Sequence, residues 1–312
     1  MMAEMRALLV CLVFVILGVN ALSAQGNLEG VWVSNIATPL QRPPELGGKA
    51  SLTDAEVAEL QKRFDKLMAN PDNDIQVGDT VFLSALHNID RYQNVNVTDR
   101  TYEMIPLVFE KRTSLITDPP NGRIPPLTPE AQARRPRPGP RARPNGPEDL
   151  NTLERCLTYG VPRVGGNVGV GPYSYYQIVQ TPDYVLFFQE AIHEARIISL
   201  DRRPHLPSSI HLWDGDSVGH WEGKTLVVDT TNLPDRGAFM GAGPKLHLVE
   251  KFTRVSDKRL EYEVKIDDPD TWIKPWTVMM PFQHTDDRIF EFACHEGNDT
   301  VMKGMLDSRT SW

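Results

Sequence analysis

The sequence predicts a mainly β protein: an antiparallel meander that closes into a barrel, with a short helical N-terminal segment. Three observations carry this. From Tyr175 onward, short apolar stretches are separated by turn residues at near-regular spacing, a pattern of barrels and sandwiches. Leu260, Tyr262, Val264 and Ile266 alternate with Glu261, Glu263 and Lys265, as in a strand with one buried and one wet face. No internal repeat period interrupts the series.

In chain order, Asn27–Asn35 reads as a short strand carrying Gly30-x-Trp32, followed by a proline-rich turn. Thr53 and Glu56 form a capping box, and Val57, Leu60, Phe64 and Leu67 recur at helical spacing, so a helix runs to Met68 and stops at Asn70–Asp74. Thr101–Glu110 and Arg112–Thr117 look strand-like, the second pairing with Arg123–Leu127 across an Asn-Gly turn. Thr128-Pro129-Glu130 starts another helix. The later strands are Tyr175–Gln180, Tyr184–Ala191, Ala195–Leu200 and Thr225–Thr230. Two hairpins follow, Leu246–Arg254 with Leu260–Ile266 and Thr277–Gln283 with Arg288–Cys294. The organisation is therefore a signal peptide (1–24), an N-terminal segment packing on the barrel (25–133), a Pro/Arg-rich linker (134–150) and a barrel domain (151–312).

The chain has 312 residues and a net charge of -8. That acidity argues against a nucleic-acid partner and against docking on an anionic membrane. Arg6, the apolar run Ala7–Leu22 and the small-residue box Ala21–Ala24 predict export, to the periplasm or as a secreted protein, with no stable membrane anchor after cleavage. Cys156 and Cys294 then remain. In an exported chain they read as one disulfide, worth about 2–4 kcal/mol; two buried thiols are the alternative.

Titratable residues concentrate between Ser199 and Asn232, where His205, His211 and His220 accompany Asp214, Asp216, Glu222, Asp229, Trp213 and Trp221. Read as loop residues, these histidines suit proton transfer near neutral pH. No pair has zinc-site spacing, so no metal is expected. Asp214-Gly-Asp216 is too short for a calcium loop. Glu190 and Glu250 share strand faces with apolar residues, where a carboxylate is raised in pKa or paired, Arg196 and Arg254 being the available partners. Glu190-x-x-His193 lies in strand context, which separates the two side chains. His295 and Glu296 follow the last expected strand, at a barrel opening. There is no nucleophile elbow, dinucleotide turn or phosphate loop, and no cofactor is expected.

Several blocks resemble a large, mainly uncharacterised family of exported bacterial proteins: RTSLITDPPNGRIPPLTPEAQA (112–133), YYQIVQTPDYV (175–185), IHEARIISLDRRPH (192–205), GDSVGHWEGKTLVVDTTN (215–232), DDPDTWIKPWT (267–277) and ACHEGN (293–298). That resemblance implies export but no reaction. The family form has Asp-Gly-Arg where this chain has Asp201-Arg202-Arg203, so a turn glycine is lost. Gly30-x-Trp32 and WEGKTLVVDT are also similar to lipocalin-like barrels.

Two functions follow as expectations. One is an enzyme acting on a small cyclic or aromatic metabolite by proton transfer, as a lyase, isomerase or cyclase. Its acid/base pair would be His205 and His295, tuned by Asp216, Glu190 and Glu296, with Arg196, Trp213, Trp221 and His211 holding the substrate. The other is a carrier of an apolar small molecule. A metal-dependent hydrolase ranks third.

Overall fold

The structure is a computed structural model that describes residues 26–70, 73, 78–91, 105–134, 144–164, 171–235 and 239–307. The signal-peptide reading, most of the linker and the start of the Thr101–Glu110 stretch lie outside them. The strands are β1 (Gly30–Val33), β2 (Ile116–Asp118), β3 (Tyr175–Gln180), β4 (Tyr184–Gln189), β5 (Glu194–Ser199), β6 (Asp216–Glu222), β7 (Thr225–Thr231), β8 (His247–Ser256), β9 (Arg259–Asp267) and β10 (Trp276–Thr285). They join in one sheet in the order β1-β3-β4-β5-β6-β7-β8-β9-β10, with β2 added to β10, and β1 pairs back onto β10. The result is a closed nine-stranded, lipocalin-like barrel with few helices.

Closure depends on the short first strand, which lies between β3 and β10. Trp32 is buried, its Nε1 donates to the Leu28 carbonyl, and its ring meets His284 edge-on at 5.3 Å. Gly30 has φ +136°, and a Cβ there would sit 3.0 Å from His284 Nε2, so the position calls for glycine.

One junction departs from the antiparallel rule. β5 and β6 run parallel, meeting at Ser199–Val218, because the segment 200–215 carries the chain back before β6 begins. A Cβ on Gly219 would lie 2.7 Å from Ile198 Cγ2, so only glycine lets the two strands approach. β6 itself was expected as loop. Its glycines and mixed polarity hide a strand whose partners are β5 and β7.

Three other expectations are corrected. Residues 112–118 do not form a hairpin with 123–127; β2 pairs with β10 instead, and Leu127 bridges to Trp272. Residues 288–294 form no strand, for β10 already has its partners in β9, β1 and β2. Leu186, Phe188 and Glu190 do not share the inward face of β4. Val185, Phe187 and Gln189 do, and the chain leaves the strand before Glu190.

The helices behave as the capping pattern requires. α1 (Asp54–Met68) begins with the Thr53–Glu56 box and buries Leu60, Phe64 and Leu67. α2 (Asp79–Leu86) buries Val81, Phe82 and Ala85, and Phe109 packs between the helices, 5.7 Å from Phe64 and 6.0 Å from Phe82. α3 (Pro129–Arg134) is capped by Thr128 Oγ1, which accepts from Ala131 N, and α4 (Asn298–Asp307) lies near the C-terminus. Trp272 and Trp276 are core residues, their rings meeting edge-on at 5.4 Å. Cys156 and Cys294 form a disulfide that joins the segment before β3 to the segment after β10. No helix among the described residues is long and apolar enough to cross a membrane.

Candidate functional site

The barrel encloses a cavity at the end where β4 finishes and β5 starts. Its volume is about 50 Å³, space on the scale of a few waters. Its walls are mostly aromatic: Trp32, Tyr176, Phe187, Phe252, Tyr262 and Phe282. Phe187 and Phe252 lie 4.5 Å apart by ring centroid, and Phe252 stacks on Tyr262 at 4.7 Å.

Two polar groups are set into this lining, both through β5. Period two sends Glu194, Arg196 and Ile198 inward, while Ile197 faces out with 63% of its surface exposed. Charges point in and an isoleucine points out, the reverse of what burial alone would select.

The deeper group is a closed network. Arg196 donates through Nη1 to Glu250 Oε1 at 3.0 Å, and its Nη2 also pairs with Glu250 Oε2. The same guanidinium donates to Ser217 Oγ and Thr230 Oγ1 at 2.9 and 2.8 Å. Tyr262 OH donates to Glu250 Oε1 at 2.8 Å. Glu250 is 1% exposed. Burial and the Glu250 charge hold the Tyr262 phenol protonated, well above its ordinary range. Arg196 therefore balances Glu250 and is not free for an anionic ligand.

The second group sits at the mouth. Glu194 accepts from Tyr159 N at 3.2 Å, from Thr158 Oγ1 and from Arg163 Nη2. Thr158 Oγ1 also lies 2.7 Å from Asp214 Oδ1, so two carboxylates meet across one hydroxyl. Burial pushes the Glu194 carboxyl up to about 7; Arg163 opposes the rise and Asp214 reinforces it. The loop that supplies Thr158, Tyr159, Val161 and Arg163 is tied down at Cys156 by the disulfide. Two atoms of cavity-lining side chains are buried without a hydrogen-bond partner: Arg163 Nη1 and Gln189 Oε1.

The histidine-rich stretch lies on the opposite side of the sheet. Ser217 faces in, so Asp216, Val218 and His220 face out. There His205 bridges two carboxylates, Nδ1 2.9 Å from Asp216 Oδ2 and Nε2 2.9 Å from Asp229 Oδ1. His247 Nε2 lies 2.8 Å from Asp229 Oδ2. Asp216 also accepts from Leu206 N and from Arg203, whose hydrogen bond holds its carboxyl well below the usual range. His220, expected in a loop, is on β6 beside Glu222.

The remaining candidates are dispersed. His295 and Glu296 are exposed, and His295 neighbours His193 at 5.8 Å rather than His205. Glu190 is buried and raised in pKa by that burial, with the Phe290 backbone bonding to it. His211 Nδ1 lies 2.8 Å from the Leu233 carbonyl. Trp213 is 43% exposed beneath Arg155, and Trp221 packs against the core. Among the described residues no group of three or more His, Cys, Asp or Glu side chains is placed to hold a metal ion.

Sequence reasoning missed Glu194, Arg163, Thr158 and Gln189. Glu194 was within reach: counting back two positions from Arg196 places it on the same face. Arg163 carries no periodic signal, since it lies in an irregular loop. No known protein family's profile matches the chain, and no curated protein is similar enough to count as a relative.

Proposed function

We propose that the barrel interior is the reaction chamber of a proton-transfer enzyme, of isomerase or lyase type, acting on a small cyclic or aromatic molecule. One observation carries this: Glu194, a carboxyl pushed up to about 7, stands at the wall of an aromatic cavity beside a partly unpartnered arginine. A carboxyl titrating near neutrality is both a competent base and a competent acid. In the simplest cycle Glu194 takes a proton from a carbon next to a carbonyl, and the electron pair moves onto the carbonyl oxygen. The same carboxyl then returns the proton to another atom of the conjugated system. Asp214 and Thr158 are positioning residues that act through Glu194.

A second reading, a carrier of an apolar small molecule in the same cavity, is favoured by the aromatic lining and by the self-neutralised Arg196–Glu250 network. Incubating the wild type and Glu194→Gln with a small-molecule extract of the host, followed by mass spectrometry, separates the two. The enzyme reading expects a compound consumed by the wild type and at least about 100-fold more slowly by Glu194→Gln. A compound retained by both proteins and altered by neither would establish the carrier instead.

A further inference from the structure

We infer that Glu194 and Asp214 hold one proton between them and that the Thr158 hydroxyl hands it from one carboxyl to the other. The count of hydrogens decides this. Thr158 is 1% exposed, and three groups meet its Oγ1: the Gly160 N–H at 2.7 Å, Asp214 Oδ1 at 2.7 Å and Glu194 Oε1. A hydroxyl has one hydrogen and two lone pairs. The Gly160 N–H takes one lone pair, and the hydroxyl hydrogen goes to one carboxyl. The other carboxyl meets the remaining lone pair and must bring its own hydrogen. With both carboxyls ionised, two oxygens would face each other with no hydrogen between them. With both protonated, three donors would meet two lone pairs. Only the singly protonated pair satisfies every contact.

Charge gives the same count. Glu194 turns Oε2 to Arg163 Nη2 and Tyr159 N, and Oε1 to Thr158. One proton leaves the pair one negative charge, which Arg163 matches where an unmatched charge is costly. The other titratable or charged groups facing the pair are Tyr159 on the same loop and Tyr176 and Arg196 on the barrel strands, and Arg196 is already balanced by Glu250. Two carboxyls that share a proton give it up late, in keeping with the raised Glu194. The transfer is two proton hops. Glu194 Oε1–H breaks as H–Oγ1 forms, and Thr158 Oγ1–H breaks as H–Oδ1 forms. One negative charge thereby moves from Asp214 to Glu194, and no electrons are exchanged. The Glu194 side chain is 9% exposed and Asp214 is half-buried, so Asp214 is the end that meets water. On the reaction-chamber reading, this relay empties Glu194 after it takes a proton and refills it from water. Thr158 is then a positioning residue. The shared proton itself stands without that reading.

Proton NMR of the purified wild type in water tests this. A carboxylic-acid resonance downfield of the amide region, assigned by its loss in Glu194→Gln, is expected at about pH 6 and should vanish by about pH 8. Thr158→Val should abolish it and Thr158→Ser should keep it, a contrast that a merely structural threonine would not give. Asp214→Asn should abolish it too, because the new amide donates to Oγ1 and frees the hydroxyl hydrogen for an ionised Glu194. A resonance that survives Asp214→Asn would put the proton on Glu194 alone. One that survives Thr158→Val would put it outside the hydroxyl bridge. Either result, or no such resonance in the wild type, would overturn the inference. Should Thr158→Val fail to fold, the wild-type, Thr158→Ser and Asp214→Asn spectra decide. Failure here is separable from failure of the enzyme reading: the latter is scored on consumption of a host compound, the former on the protein with no substrate added.

Discussion

The two faces of β6 and its neighbours hold the same kinds of residue and use them differently. Outside, Asp216, His205, Asp229 and His247 form a chain whose far end is open to water, with Asp229 and His247 each more than 40% exposed. Inside, Arg196, Glu250 and Tyr262, then Arg163 and Glu194, are shut away from solvent. Water screens the exposed end of the outer chain, so its ion pairs there contribute modest energies, while at the buried end the Arg203 hydrogen bond holds the Asp216 carboxyl low. Desolvation acts on the inner groups, so their protonation states shift and each needs its partner. Histidine density marks the outer face, where Arg203, His205, His220 and Asp229 line an open groove; an apolar wall marks the inner cavity.

The contrast can be broken by substitution. Glu250→Ala leaves Arg196 buried without its counter-charge and is expected to cost about 3–5 kcal/mol in denaturant unfolding. Replacing both partners by Met and Leu should recover most of that, since the loss comes from the orphaned charge. On the outside the same experiment is graded by depth. Asp216→Asn, at the 2% exposed end, should cost about 1–3 kcal/mol. His205→Gln, at a part-exposed position, should cost under about 1 kcal/mol. An outer chain as costly to break as the inner pair would erase the distinction.

The smallest effect is at Arg202. It adopts φ +56°, a left-handed conformation that glycine reaches without strain. Left-handed backbone costs a side-chain-bearing residue about 1–2 kcal/mol, part of which glycine returns as chain entropy. Arg202→Gly should therefore raise unfolding stability by about 0.5–1 kcal/mol, measured by thermal or urea denaturation.

Much of this fold was legible because period-two alternation and turn residues are local signals. β8, β9 and β10 were readable to within one or two residues, and so was α1 with its capping box. β6 was not, because Gly219 and the polar Asp216–Ser217 pair obey the needs of a parallel neighbour and an interior network, neither of which is local. The disulfide was legible from the cysteine count once export was expected. The site was legible only in part: the sequence singled out Glu250 and offered Arg196 or Arg254 as its partner, yet gave Arg196 to the substrate and took the histidines for the chemistry, whereas Arg196 pairs with Glu250. Glu194 escaped because its distinguishing property, desolvation beside Asp214 and Arg163, exists only once β5, the 156–164 loop and the 211–215 turn are brought together.

The central claim turns on Glu194, and its ionisation can be read directly. The folded chain keeps this proton up to about pH 7, whereas the usual carboxyl value is 4.5. Between those values the unfolded chain binds fewer protons, so the stability contributed by Glu194 is full below about 4.5 and is lost as pH rises through 7. Relative to Glu194→Gln, the wild type should lose stability across that window. The most direct measurement is a carbon-13 titration of the side-chain carboxyls of the wild type, with Glu194→Gln assigning the resonance. A midpoint near 7 is the result the account predicts. A midpoint in the ordinary carboxylate range, near 4.5, would contradict it and remove the acid/base group from the cavity.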